Sequence, residues 1–238
     1  MLNISPAPTS AAGLTFGAIT PVQSASANTG AANASATSVT LTFGQNLTPG
    51  NIVIVATGVN SGVTCKALDP NAANLTYFSS AGTATGPTIS NIGLLPVQSA
   101  GTGMTVSLSS GLAFNCAVVG VEYSGAKLRM DFSPVATNSG TATTSPATAT
   151  AVAASPHELL VAIFVTRGTF AAEQTAWLTA PTNSFSSVLQ TSTFTNVANA
   201  DRAVAVCTRV VSSAGNYSTA GTQPNAAYAT LISSYVSD

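Results

Sequence analysis

The chain has 238 residues with six cations and seven acids, a net charge of −1, and only 5% of its residues are charged while 45% are hydrophobic; ordinary soluble proteins are roughly 25% charged. Cations this sparse exclude the dense electrostatic footprint of a nucleic-acid-binding protein, and no run reaches the roughly 18 apolar residues of a membrane helix. Surface polarity must come from Ser, Thr, Asn and Gln, and such a surface is readily buried against a neighbour because hydroxyls and amides cost far less to desolvate than charges.

In chain order, residues 1–36 read as an extended N-terminal arm, rich in Ala, Ser, Thr and Asn and punctuated by Pro6, Pro8 and Pro21. Its main large apolar residues are Leu14, Phe16 and Ile19. They are expected to anchor an added strand on the exposed sheet edge of a neighbouring subunit. The start, Met1-Leu2-Asn3-Ile4-Ser5-Pro6, has neither the cationic nor the apolar region of a secretory leader.

Residues 37–132 form the first expected β unit. Val39, Leu41 and Phe43 alternate with Thr40 and Thr42, the mark of a half-buried strand. The turn Leu47-Thr48-Pro49-Gly50 leads into Asn51–Ala56, an apolar run that suits a central strand. Met104–Leu108 alternates again, and Phe114–Tyr123 is a second long apolar run. Residues 133–154, rich in Thr, Ala and Pro, are expected to connect this unit to a second one spanning 155–238.

The second unit repeats the order of the first. Ser155-Pro156-His157-Glu158-Leu159 echoes Thr48-Pro49-Gly50-Asn51-Ile52, Ser213-Ala214-Gly215 echoes Ser99-Ala100-Gly101, and the strand Tyr228–Val236 echoes Val118–Tyr123. Pro156–Leu160 is the best helical candidate, but it runs on into Val161–Val165, which is strand material. The expected fold is all-β: two related β-sandwich halves, jelly-roll-like or tandem immunoglobulin-like.

Catalytic groups are scarce. A Ser-His-Asp triad would have to use His157, the single histidine, which reads more simply as an exposed turn residue. No nucleophile elbow, phosphate-binding loop or dinucleotide glycine pattern is present. Glu122 and Asp131 are the best candidate carboxylate pair, but Glu122 lies in an apolar strand and is expected to pair with Lys127, Arg129 or an arginine of the second half. Cys65, Cys116 and Cys207 are too few for a disulfide framework or a zinc site; Cys116 and Cys207 read as buried thiols, with a bridge between them as the alternative. Asp69-Pro70-Asn71 could contribute to a calcium site but reads more simply as a turn. The expectation is therefore no catalytic residues, no cofactor and no metal. Trp177, with Tyr217 or Phe185, is the candidate aromatic platform for a sugar, and a core position for Trp177 is the alternative.

The segments Leu47–Val55, Ala100-Gly101 with Met104–Leu108, Val121–Gly125, Pro156–Ala162 and Ala214–Ser218 together resemble a β-sandwich pattern of phage and bacterial surface proteins. The resemblance covers residues 37–238, and its motifs report a fold more than a function. It implies a decoration, fibre or adhesin-like role without catalytic residues. With the leaderless start, the expectation is a non-enzymatic virion structural protein, a capsid decoration or head or tail fibre component, partnered by copies of itself and other virion proteins, without nucleic acid or membrane. The alternative is a carbohydrate-binding or adhesion module of a bacterial surface, with surface glycans as partners.

Overall fold

The computed structural model describes residues 18–31, 38–59, 65–68, 76–83, 86–97, 103–108, 115–125, 128–130, 136–154 and 156–237. The chain is all-β. Among the described residues no helix is long and apolar enough to cross a membrane. The first eight strands are β1 (Thr20–Asn28), β2 (Ser38–Thr42), β3 (Ile52–Val59), β4 (Cys65–Leu68), β5 (Thr76–Thr83), β6 (Gly86–Pro96), β7 (Gly103–Leu108) and β8 (Cys116–Ser124). The next eight are β9 (Leu128–Met130), β10 (Ala136–Thr143), β11 (Ala151–Ala153), β12 (Glu158–Gly168), β13 (Ser186–Ser192), β14 (Asp201–Val211), β15 (Gly215–Tyr217) and β16 (Ala226–Ser237).

Two large antiparallel sheets dominate, ordered β1-β8-β3-β6-β5 and β10-β16-β12-β14-β13. Taken strand by strand in chain order, these are the same topology. The small sheets correspond in part: β2-β7-β4 accompanies the first large sheet and β11-β15, without a counterpart of β4, the second. Local geometry follows the repeat. Gly50 and His157 both stand at positive φ, 92° and 65°, one residue before the same kind of turn exit. Their N–H groups donate to Val97 and Val211 at 3.0 and 2.8 Å. Ile52 then pairs with Tyr123, and Leu159 with Tyr235. The Ser99–Gly101 echo lies outside the described residues.

The two large sheets lie face to face. β1 covers β13, β8 covers β14, β6 covers β16 and β5 covers β10, while β3 meets its own counterpart β12, as across an approximate two-fold axis. Ile52, Ile54 and Ala56 of β3 and Val119, Val121 and Tyr123 of β8 fill this seam from one side. Leu159, Val161, Ile163 and Val165 of β12, Val204 and Val206 of β14 and Tyr235 of β16 fill it from the other. The outward face of each large sheet is covered as well. Val39, Leu41 and Phe43 close over Val53, Val55 and Val118 in the first half. Ala151, Ala153, Trp177, Leu178 and Phe185 close over Leu160, Phe164 and Ala205 in the second. Burial on both faces explains why β3 and β8 read as unbroken apolar runs rather than alternating ones.

Several boundaries differ from those expected. Residues 20–28, expected to belong to the arm, form β1 on the edge of their own sheet, paired with β8. Ile19 is 7% exposed and sits in the seam between the large sheets, so it anchors its own fold rather than a neighbour's. Leu14 and Phe16 lie outside the described residues. Residues 133–154, expected to connect two units, supply β10 and β11 of the second half. β9 and β10 together occupy the edge of β16 that β1 occupies on β8. These edge segments carry few large apolar side chains because only one of their long sides meets another strand, and their sequence therefore resembles a linker.

Neither Cys116 nor Cys207 forms a disulfide, and both are buried, one on the outward face of each large sheet. With both sheets between them, no bridge joins the two. Burial pushes the Cys207 thiol up to about 12, against the opposing effect of the Ser187 hydroxyl.

Gly58 of β3 and Val165 of β12 are counterparts, as Ile52 and Leu159 are, and they meet at the seam. A Cβ on Gly58 would lie 2.9 Å from Val165 Cγ1 and 3.3 Å from the Ala203 carbonyl oxygen. Gly58→Ala is expected to destabilise the fold by about 1–3 kcal/mol through overpacking. Val165→Ala in the same chain should return part of that loss. Denaturant melts of the four members of this cycle check it, and strict additivity would show that the two positions do not compete for the same space.

Candidate functional site

Glu122, Asp201 and Arg202 serve the framework. Glu122, fully buried, accepts from the Thr48 N–H at 2.8 Å, the Asn51 carboxamide at 2.7 Å and the Gln23 carboxamide at 2.7 Å. It ties the turn before β3 to strand β1 through neutral amide donors; Lys127 and the Arg129 side chain, two of the cationic partners expected for it, lie outside the described residues. Asp131 lies outside the described residues. Asp201 works in the same way, accepting from the Phe170 and Thr195 N–H groups and the Thr193 hydroxyl at 2.7, 2.6 and 2.9 Å. Arg202, 2% exposed, donates through Nη1 to the carbonyls of Asn199, Ala200 and Asp201. Burial and the nearby Arg167 charge lower it to about 10. His157 is exposed in its turn.

Trp177 is 5% exposed and belongs to the core that covers the second large sheet. Phe185 is buried beside it in the same cluster. The sugar platform expected from Trp177 with Tyr217 therefore does not form, because the indole faces inward to close a sheet that no helix covers.

Tyr217 does reach the surface, at an open polar pocket of about 440 Å³ lined by Asn183, Ser184, Arg209, Asn216, Tyr217 and Ser218. Three segments build it. The loop before β13 passes through Asn183 and Ser184, both left-handed at φ 56° and 58°. That conformation is uncommon for residues other than glycine, though Asn adopts it more readily than most. Phe185 anchors the loop in the core, and Asn183 Nδ2 donates to the Ser218 carbonyl at 2.8 Å. β14 contributes Arg209, and β15 contributes Tyr217, whose hydroxyl donates to the Ser213 carbonyl at 2.8 Å.

These contacts hold Arg209 in place. Its Nη1 donates to the Asn183 carbonyl at 2.8 Å, and its guanidinium lies 5.0 Å from the Tyr217 ring centroid. Such stacking contributes about 0.5–1 kcal/mol at an exposed site. No Asp or Glu lines the pocket. The pocket thus offers a positioned cation surrounded by hydroxyls and amides, which suits binding rather than proton transfer. Among the described residues, no group of three or more His, Cys, Asp or Glu stands together as a metal site.

Sequence reasoning found Tyr217 but missed Arg209. The available signal was a cation in a strand of a chain that has only six; its meaning depends on the loop at 183–184, brought alongside by folding.

Fold and site together define an all-β protein with face-to-face antiparallel sheets, as in a β-sandwich, carrying a polar surface pocket. Comparison with protein-family models, with curated proteins and with solved structures found no match.

Proposed function

We propose that the protein is a non-enzymatic structural component of a virion surface, a capsid decoration protein or a head or tail fibre subunit, that acts packed against copies of itself and other virion proteins. The observation that carries this reading is where the few charges are placed. Of six cations and seven acids, Glu122, Glu158, Asp201 and Arg202 are buried. Among the described residues the exterior is therefore poorer in charge than the composition, and a neighbour can cover it at little desolvation cost.

The sheet edges favour contact through side-chain surfaces over strand addition. The pairings of the edge strands β1, β5, β10 and β13 contain register shifts, whereas the central pairings and the short pairing of β9 with β16 run without one. β1 also carries Pro21, which has no N–H to donate. Such edges resist an added strand.

The protein is expected to sediment as a stable oligomer or to bind a particle lattice stoichiometrically. That association should change little between low and moderate salt, because screening has few charges to act on. An ideal monomer at high concentration, with no affinity for any particle, would overturn the proposal. The pocket at Arg209 favours a second reading, a carbohydrate-binding or adhesion module at a cell surface, for which a glycan array probed with the isolated protein is the test.

A further inference from the structure

We infer that the Arg209 pocket binds the carboxylate of an acidic saccharide, an inference that rests on the carbohydrate-binding reading and names its ligand class. A guanidinium has five N–H donors arranged to meet a carboxylate side-on. Among the described residues Arg209 donates through Nη1 alone, to the Asn183 carbonyl, and its half-buried side chain lines the open pocket. The side chain is held from two directions, by the Asn183 carbonyl and by the Tyr217 ring, so little freedom is left to lose when a ligand arrives.

The surroundings narrow the ligand. A single cation with no acid beside it matches one negative charge, a carboxylate, better than a doubly charged phosphate. Around it, Ser184 and Ser218 present hydroxyls and Asn216 a carboxamide, groups that pair with the hydroxyls of a sugar ring. The volume of about 440 Å³ accommodates one or two sugar units. Tyr217 is not a stacking platform here: its ring carries the guanidinium and its hydroxyl is bound to Ser213, so it acts as a positioning residue. The successive left-handed residues Asn183 and Ser184 are held by the Ser218 and Arg209 contacts, and backbone strain of this kind gathers at ligand sites.

The test is calorimetric titration of the full chain with glucuronate, glucose, acetate and phosphate. Glucuronate should bind, with glucose and acetate each weaker by roughly tenfold or more, since each lacks one half of the recognition. Arg209→Gln should abolish glucuronate binding. Arg209→Lys should keep only part of it, because a point charge replaces the two-pronged donor. Tyr217→Phe should retain most of it, since the ring stays beneath the guanidinium. Circular dichroism confirms that each variant is folded, and the comparison among ligands on the unaltered chain stands even if a variant is not. Equal affinity for glucose and glucuronate would overturn the acidic specificity while leaving a glycan site. Equal affinity for acetate or phosphate would reduce the pocket to a simple anion site and overturn the saccharide. Binding of none of these, together with a silent glycan array, would remove both this inference and the reading beneath it.

Discussion

Glu122→Ala is expected to cost about 3 kcal/mol or more, because it strands buried donors rather than merely removing a contact. The carboxylate receives the Thr48 N–H and the Asn51 and Gln23 carboxamides, and so joins β1, the turn at 48–51 and β8 at one point. Removing it leaves donors facing a cavity on the covered side of the first large sheet. For a chain of this length that loss corresponds to a fall in melting temperature of about 6–12 °C. Glu122→Gln should fall between the two, since the amide keeps one acceptor oxygen but turns a donor toward donors. Thermal melts and denaturant titrations give the stability, and amide exchange at residues 48–52 reports the turn directly. A Glu122→Ala chain as stable as the parent, with unchanged exchange in that turn, would show that the network holds nothing together.

Trp177→Ala is expected to destabilise the second half by about 3–5 kcal/mol, the usual range for deleting a large buried aromatic side chain. The ring packs with Leu178 and Phe185 against the outward face of β12 and β14, a face that the short strand β11 covers only in part. Trp177→Phe should cost much less, because the indole nitrogen is buried without a hydrogen-bond partner and the substitution gives up no such bond. This pair separates a core role from a ligand role. A platform tryptophan would lose sugar binding on truncation at little cost in stability; a core tryptophan loses stability first. Unchanged denaturant midpoints for Trp177→Ala would put the residue back at the surface.

Much of the strand framework was legible in the residues. The alternation of Val39, Leu41 and Phe43 with Thr40 and Thr42 matches their burial in and just beyond β2, buried and exposed in turn. The apolar runs read at Asn51–Ala56, Phe114–Tyr123 and Val161–Val165 fall largely within the central strands β3, β8 and β12. The echo of Thr48–Ile52 in Ser155–Leu159 is matched by a shared turn geometry. The edge strands were not legible. β1 and β10 present Ser, Thr, Ala and Asn because they contact the core along only one long side, and their pairing is specified by the registers of β8 and β16 rather than by their own pattern. Ile19 illustrates the difficulty: an isolated apolar residue in a polar segment serves equally well on a neighbour's surface or in its own seam, and only the chain path decides between them.

The sequence by itself determined that the chain is built of strands, that its central strands are buried on both faces, and that its order of elements repeats. Those properties follow from side-chain periodicity, turn chemistry and composition, all of them local. The tertiary structure alone decided that the repeated sheets face each other across an approximate two-fold axis, that Trp177 closes a core, and that Asn183, Arg209 and Tyr217 surround one pocket. These depend on contacts between residues far apart in the chain, where the position of one side chain is set by the packing of many others.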